Sequence, residues 1–358
     1  MNCEKRIKNV HTLITAITTA VTLVFSLPTH ATPSAMVFMY HHFGDDRYPS
    51  TNIQLAQFDA QLNFLETSGF HILPLPDILN RLASGQALPD KTAAITMDDA
   101  YLSVYTEAYP RLKQRRWPFT VFVSTDYIDK QFPNYMSWAH MREMENFGAT
   151  FGNHSTRHDY LIRRRGQESE EQWRQRVRND IEHAQQRLDA ELDSVMPYFA
   201  YPYGEYDLAL AQIVADAGLT GFGQQSGALG VHSDRRFLPR FPINEAYGAL
   251  AGFRTKALSL ALPVHTVHPQ DPVTPDVRPR LEVTLAANIG RPNQLACYAG
   301  GQRPLAIQWL DDEKRRFAVR AAEDLPGGRS RYNCTAPTGT PGRYYWFSQL
   351  WIRPNLSH

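Results

Sequence analysis

Two aspartates stand side by side in the run Ala94-Ile95-Thr96-Met97-Asp98-Asp99-Ala100. The apolar residues before them read as a buried strand, and residues 101–115 read as the helix that follows. Neighbouring residues leaving a strand point in different directions, so one carboxylate can hold a metal while the other handles a proton. A solvated turn with Asp at a helix N-cap would explain this pair taken alone. A second run, Gly152-Asn153-His154-Ser155-Thr156-Arg157-His158, places two histidines four residues apart. On one helical turn they would share a face and reach one cation, although two surface histidines would look the same. A third run, Phe199-Ala200-Tyr201-Pro202-Tyr203-Gly204, is again a strand end entering a turn. Three such ends in one chain specify more than any one of them.

These ends need a frame to bring them together. Short apolar runs at 36–39, 71–73, 93–97, 119–123, 149–152, 198–201 and 221–223 alternate with amphipathic stretches. Leu55, Phe58, Leu62 and Leu65 form one helical stripe, with Gly69 as its stop. Trp173, Val177, Ile181, Ala184, Leu188 and Leu192 form another, on a helix of about six turns. Repeated strand–helix alternation implies parallel strands under helical cover, an α/β fold. The alternation does not choose between an open sheet and a barrel.

In combination, the motifs resemble the polysaccharide deacetylase family, carbohydrate esterases with a chitooligosaccharide-deacetylase homology domain. The likeness is closest to the poly-N-acetylglucosamine N-deacetylase branch and covers roughly residues 36–245. Thr96-Met97-Asp98-Asp99-Ala100 stands where the family has Thr-Phe-Asp-Asp-Gly, and His154 to His158 matches its His-Ser/Thr-x-x-His motif. Ala100 replaces the usual Gly, and Ala200-Tyr201 stands where an Arg commonly precedes Pro-Tyr-Gly. The resemblance implies an incomplete (β/α)7-type barrel with function at the C-terminal strand ends. It implies one divalent cation held by Asp99, His154 and His158, zinc by default, with Fe(II), cobalt or nickel suiting the same donors. Asp98 would be the base, and the Tyr203 backbone N–H would face the oxyanion. In the poly-N-acetylglucosamine branch the acid is a histidine at the end of the first strand. His41 in Tyr40-His41-His42-Phe43 matches that place, with His42 as the alternative; tandem histidines that merely pack are the bland reading. Residues 237–245 contain no histidine, and the nearest is His232. Arg240 either orients Asp98 in place of the missing Arg or forms an ordinary surface ion pair.

The 37 Lys and Arg against 36 Asp and Glu give no electrostatic reason to expect nucleic acid. Lys5, Arg6 and Lys8, an apolar stretch and Thr29-His30-Ala31 read as a signal peptide over residues 1–31. The reading is of an exported chain, periplasmic or secreted, with no stable membrane span after cleavage. Cys3 leaves with the signal, so Cys297 and Cys334 remain to bond in an oxidising compartment. The deacetylase domain is expected over 32–262, a proline-rich linker over 263–280 and a small all-β domain over 281–358. Cys297, Trp309, Tyr332 and Cys334 resemble the pattern of an immunoglobulin-like sandwich, although the cysteines are close together for it. Every catalytic candidate precedes residue 245, so this last domain should be dispensable for the chemistry. The expected activity is removal of N-acetyl groups from an N-acetylglucosamine polysaccharide of the biofilm-matrix type, the N-acetylated polysaccharide being the partner. Chitin oligomers and peptidoglycan offer the same acetamide. A non-catalytic glycan-binding matrix protein and a metal-dependent oxygenase are the other classes, and the Asp98 base and the strand–helix alternation speak against them respectively.

Overall fold

The computed structural model describes residues 33–353; the expected signal segment lies outside the described residues. Six strands run parallel and adjacent: β1 (Ser34–Tyr40), β2 (Thr92–Met97), β3 (Phe119–Val123), β4 (Ala149–Asn153), β5 (Val195–Ala200) and β6 (Thr220–Phe222). The strand expected at 71–73 is only His71–Ile72, which pairs with the start of β2. The edges β6 and β1 are bridged by residues 238–242. Leu238 pairs in parallel with Phe222, and Phe241–Pro242 pairs in parallel with β1. The sheet is therefore a curled one, as expected of a deacetylase-type α/β fold, and a short extended segment spans its opening.

Every residue of β2 and β3 is buried. Strands covered on both faces read as unbroken apolar runs, which is why the sequence reveals them. Within each strand the two-residue alternation sends one set of side chains into the curl. Val37, Ala94, Phe122, Ala200, Phe222 and Leu238 meet there in one cluster. Gly152 leaves room for this layer, because a Cβ at that position would lie 2.8 Å from the Phe122 ring.

Helix α1 (Leu55–Thr67) buries Phe58, Leu62 and Leu65, and the chain leaves it through Gly69 at φ +70°. Helix α2 (Glu170–Glu191) starts at a Ser169–Gln172 capping box and buries Trp173, Val177, Ile181, Ala184 and Leu188. The stretch after β2 is not one regular helix. Val104–Ala108 is π-helical and Tyr109–Arg115 is α-helical. Pro110 lacks an N–H and its ring crowds the carbonyl one turn back, so the hydrogen-bond ladder shifts there. Among the described residues no helix is long and apolar enough to cross a membrane.

The C-terminal third forms two four-stranded sheets around one core of Leu281, Val283, Phe317, Val319, Tyr332 and Trp351. Val264–His268 is a strand paired with Arg280–Leu285, not part of a linker. The prolines around it lie outside the pairing, so proline density there marks the strand's flanks. Cys297 and Cys334 are bonded, and they face each other on adjacent strands of one sheet. The antibody-type bridge joins two sheets instead. Trp309 is half-buried against Phe317, while Trp351 is the fully enclosed indole, 5.6 Å from Tyr332. Tyr332 does tie a corner: its hydroxyl donates to the Pro279 carbonyl at 2.8 Å and accepts from the Ala321 N–H at 2.9 Å.

Strands β7 (Gly328–Pro337) and β8 (Tyr344–Arg353) lie against the curled sheet. Leu350 and Ile352 pack with Leu161 and Trp173, and Trp346 meets Phe241 edge-on at 5.3 Å. The aromatic run at 344–351 is thus largely seam and core. Reducing the disulfide, or replacing both cysteines with Ser, should lower stability by about 3–4 kcal/mol, from the chain entropy of the closed loop. Chemical denaturation of the oxidised and double-Ser proteins reads this directly, and coincident curves would refute it.

Candidate active site

The inward face of each strand continues past the strand's C-terminal end. Met39 leads to His41, Thr96 to Asp98, and Gly152 to His154. Asp98 extends the pairing of β2, its N–H donating to Tyr40 O at 2.9 Å. His154 does the same beside β3, through Val123 O at 3.0 Å. Asp99 and Ala100 then take positive φ, 72° and 60°. The turn that Gly usually makes is therefore formed here with Ala100 in the left-handed region.

Asp99, His154 and His158 converge, each offering one ligand atom, with the three atoms within 4.8 Å of one another. The two histidines are not on a helical turn, contrary to the reading from their spacing. Ser155 and His158 sit at φ 65° and 57° in an irregular loop. Local bonds impose that shape: Ser155 N–H donates to Asn153 Oδ1, and His158 N–H donates to Ser155 Oγ. Thr156 is tied to Asp180 of α2 through its N–H and its hydroxyl. Small polar side chains bonding to nearby backbone compete successfully with helix here.

The arrangement fits a divalent cation. His154 Nδ1 is 2.7 Å from the Ala200 carbonyl, which fixes the tautomer and turns Nε2 toward Asp99. That Nε2 is fully buried and has no hydrogen-bond partner, although Asp99 Oδ1 lies 3.3 Å away. His158 Nε2 is also 3.3 Å from the same oxygen. Burial pushes His158 down to about 4, against the pull of Asp99, so it stands as a neutral donor. Burial works against the Asp99 anion, but His154 and His158 hold its carboxyl well below the usual range.

Behind this set lies Asp98, fully enclosed and forked by Arg240. The guanidinium donates to its two oxygens at 2.6 and 2.8 Å. Arg240 is itself fully buried, with Nε on the Gly223 carbonyl at 3.0 Å and its charge over the Phe122 ring. It is not a surface ion pair. Burial opposes the Asp98 anion, and Arg240 and then His154 more than offset it, so the carboxyl stays below its ordinary value.

A cleft of about 610 Å³ opens over these groups, lined by His41, Asp99, His158 and Tyr203 among others. His42 is elsewhere, stacked between Tyr101 at 3.6 Å and Tyr48 at 4.6 Å. Burial, then the charge of His41, pushes it down to about 4, as suits a packing histidine. His232 lines a separate cavity of about 380 Å³. Tyr203, at φ 59°, stacks on Tyr160 and meets His158 edge-on at 4.4 Å.

The sequence reading missed part of the wall. Tyr101, Tyr127 and Tyr135 line it, and so do Arg329, Ser330 and Arg331 of β7. Tyr101 directly follows Asp-Asp-Ala, and that adjacency was an available signal. The last three come from the domain expected to be dispensable.

An Asp-His-His set that could hold a metal ion lies beside an enclosed Asp–Arg pair at the strand ends of a curled parallel sheet. Residues 85–222 match the family model for polysaccharide deacetylase, and the chain carries a domain of that family and is a hydrolase of the deacetylase class. It is 24% identical over 213 residues to the poly-β-1,6-N-acetyl-D-glucosamine N-deacetylase of Staphylococcus aureus (strain MRSA252), covering 58% of this chain and 73% of that protein. Among solved structures, IcaB from Ammonifex degensii aligns at 25% identity and TM-score 0.53, over 62% of this chain and 96% of that one. The de-N-acetylase from Aggregatibacter actinomycetemcomitans aligns at 17% identity and TM-score 0.55, over 62% of this chain and 99% of that one.

Arg240→Ala would strand a buried carboxylate and should cost about 3–5 kcal/mol of stability. Replacing Asp98 and Arg240 together with apolar residues of similar size should restore much of it. Denaturation midpoints of the single and double variants check this, and a single variant as stable as the wild type would refute it.

Proposed function

We propose that this chain removes N-acetyl groups from an N-acetylglucosamine-containing polysaccharide of the poly-N-acetylglucosamine type. The observation that carries the reading is the orphaned, buried Nε2 of His154, aimed with Asp99 and His158 at one point above the Asp98–Arg240 pair. The relation to the staphylococcal enzyme supports this polymer over chitin oligomers or peptidoglycan. The signal-like N-terminus and the Cys297–Cys334 bond support an exported, periplasmic or secreted protein acting on biofilm matrix. The domain reading that goes with it is a deacetylase domain over 32–262 and a β-sandwich of immunoglobulin-like kind over 281–358.

Asp99, His154 and His158 would hold the divalent cation, zinc by default. When bound, that cation polarises the acetamide carbonyl and makes water acidic enough to lose a proton near neutral pH. Asp98 takes this proton as the water oxygen adds to the carbonyl carbon. The Arg240 fork occupies two of the carboxylate's lone-pair sites, which leaves others to accept it. The backbone N–H of Tyr203 faces the oxyanion. His41, which lines the cleft, gives its proton to the amine nitrogen as the C–N bond breaks, the role of a general acid.

Alanine at Asp99, His154 or His158 should abolish stoichiometric metal binding, measured by elemental analysis of the purified protein. His158→Ala with full occupancy would remove it from the donor set. Asp98→Asn should keep the metal and lose about 10²–10⁴-fold in acetate release from N-acetylglucosamine oligomers. His41→Ala should depress amide hydrolysis far more than hydrolysis of an activated acetate ester, whose leaving group needs no proton. If His232→Ala shows that selectivity and His41→Ala does not, the acid is misassigned. Faster acetate release from chitin oligomers or peptidoglycan fragments than from β-1,6-linked oligomers would redirect the substrate.

A further inference from the structure

Part of the wall of the cleft is built by one of the C-terminal sheets. Strand β7 runs past the Tyr203 turn and exposes Arg329, Ser330 and Arg331 to the cleft. The two arginines are not equivalent. Arg329 donates to the Tyr203 carbonyl and faces the Glu205 carboxylate at 3.8 Å, so it is spent on holding the turn. Arg331 is half-buried beside Leu350, its register partner on β8. Among the described residues no carboxylate lies within ion-pair distance of it. The charge it presses on is another cation, Lys256 of the helix Leu250–Ala257. Burial first, and then Arg331, push Lys256 down to about 8. Among the described residues the Lys256 ammonium donates to the Tyr247 carbonyl at 3.2 Å and lies 5.3 Å from the centre of the Tyr247 ring. Arg331 therefore lines the cleft with five N–H donors and no acceptor, and among the described residues no carboxylate balances its charge.

We propose that Arg331 reads the sugar next to the one being deacetylated, accepting an N-acetylated neighbour and rejecting a glucosamine. The inference rests on the deacetylase reading and deepens it. An acetylated residue offers only hydroxyl and acetamide oxygens, which the guanidinium can bind. Hydrolysis of one acetamide consumes one water and releases acetate, leaving an amine that takes up a proton at neutral pH. That ammonium, placed against Arg331, meets a like charge. At about 4 Å in water the repulsion is worth roughly a 5-fold change in affinity, and more where solvent is thinned. Each turnover thus disfavours a second one at the adjoining sugar, and the product carries spaced glucosamines rather than blocks.

The test uses the full chain with its metal and defined β-1,6-linked N-acetylglucosamine tetramers. One tetramer is fully acetylated, and two others carry a single internal glucosamine on either side of an acetylated residue. Acetate release gives kcat/KM for each substrate in the wild type, in Arg331→Gln and in Arg331→Lys. The readout is the ratio between substrates within one enzyme, so a general loss of activity cancels. The wild type should prefer the fully acetylated tetramer by about 5-fold or more over at least one mixed tetramer. The ratio should collapse toward one in Arg331→Gln and persist in Arg331→Lys. Equal wild-type rates on all three tetramers overturn the proposal, even if the variants do not fold. So does wild-type discrimination retained in Arg331→Gln. If the wild type hydrolyses an acetate ester but releases no acetate from any tetramer, the deacetylase reading itself falls, and that result is distinct from the other two.

Discussion

The structure depends on the enclosed pair of Asp98 and Arg240. Two opposite charges with no exposure must be matched in full, because either one alone would be far too costly inside the curl. Arg240 meets that demand from residues 238–242, the segment that bridges β6 and β1. Its Nε holds the Gly223 carbonyl, its charge lies over Phe122, and Nη1 also reaches Thr96 Oγ1 at 3.3 Å. Spanning the opening of the sheet and orienting the acid are therefore one interaction. A curled sheet that lost the bridge would also lose the counter-ion of its buried acid.

Much of this frame is legible in the sequence, for a physical reason. Parallel strands buried on both faces leave continuous apolar runs, and polar residues suddenly ending such a run mark the place where strands stop and chemistry can begin. Asp98, Asp99, His154 and Tyr203 were found that way, and the structure brings them to one end of the sheet. What failed was local geometry. A spacing of four between His154 and His158 suits a helical turn, but Asn153 and Ser155 bond to backbone and hold a loop instead. The separation told which residues meet without telling how. The proline-rich stretch after Leu262 misled in the other direction: its prolines flank Val264–His268 and leave that strand free to pair.

The wall that β7 gives the cleft was not legible at all. Arg329 touches Tyr203 across a separation of 126 residues, and no local pattern announces such a contact. Arginines alternating along a strand read as solvated decoration. Arg240, a lone cation between prolines, could be read from sequence either as the residue that orients Asp98 or as a surface ion pair, and it is among the most enclosed side chains of the described residues. Charges are the residues whose environment sequence pattern says least about. Here they decide both the interior of the sheet and the rim of the cleft.

The charge balance explains why both arginines matter to one reaction. Asp98 and Arg240 cancel, the histidine donors are neutral when they ligate, and Asp99 contributes one negative charge. A divalent cation held there would leave the centre with one net positive charge, at the floor of the cleft. That matches the single negative charge that develops on the acetamide oxygen during attack. Without Arg240 the second carboxylate would cancel this surplus, and the oxyanion would form in a neutral site. A centre so charged would repel an ammonium group, and Arg331 adds a second positive charge to the lining of the same cleft. A site poised to stabilise an oxyanion is by its charge ill-suited to hold the cationic product. On the proposed reading, release of the deacetylated sugar and preference for an acetylated neighbour would follow from the charge arrangement that favours attack.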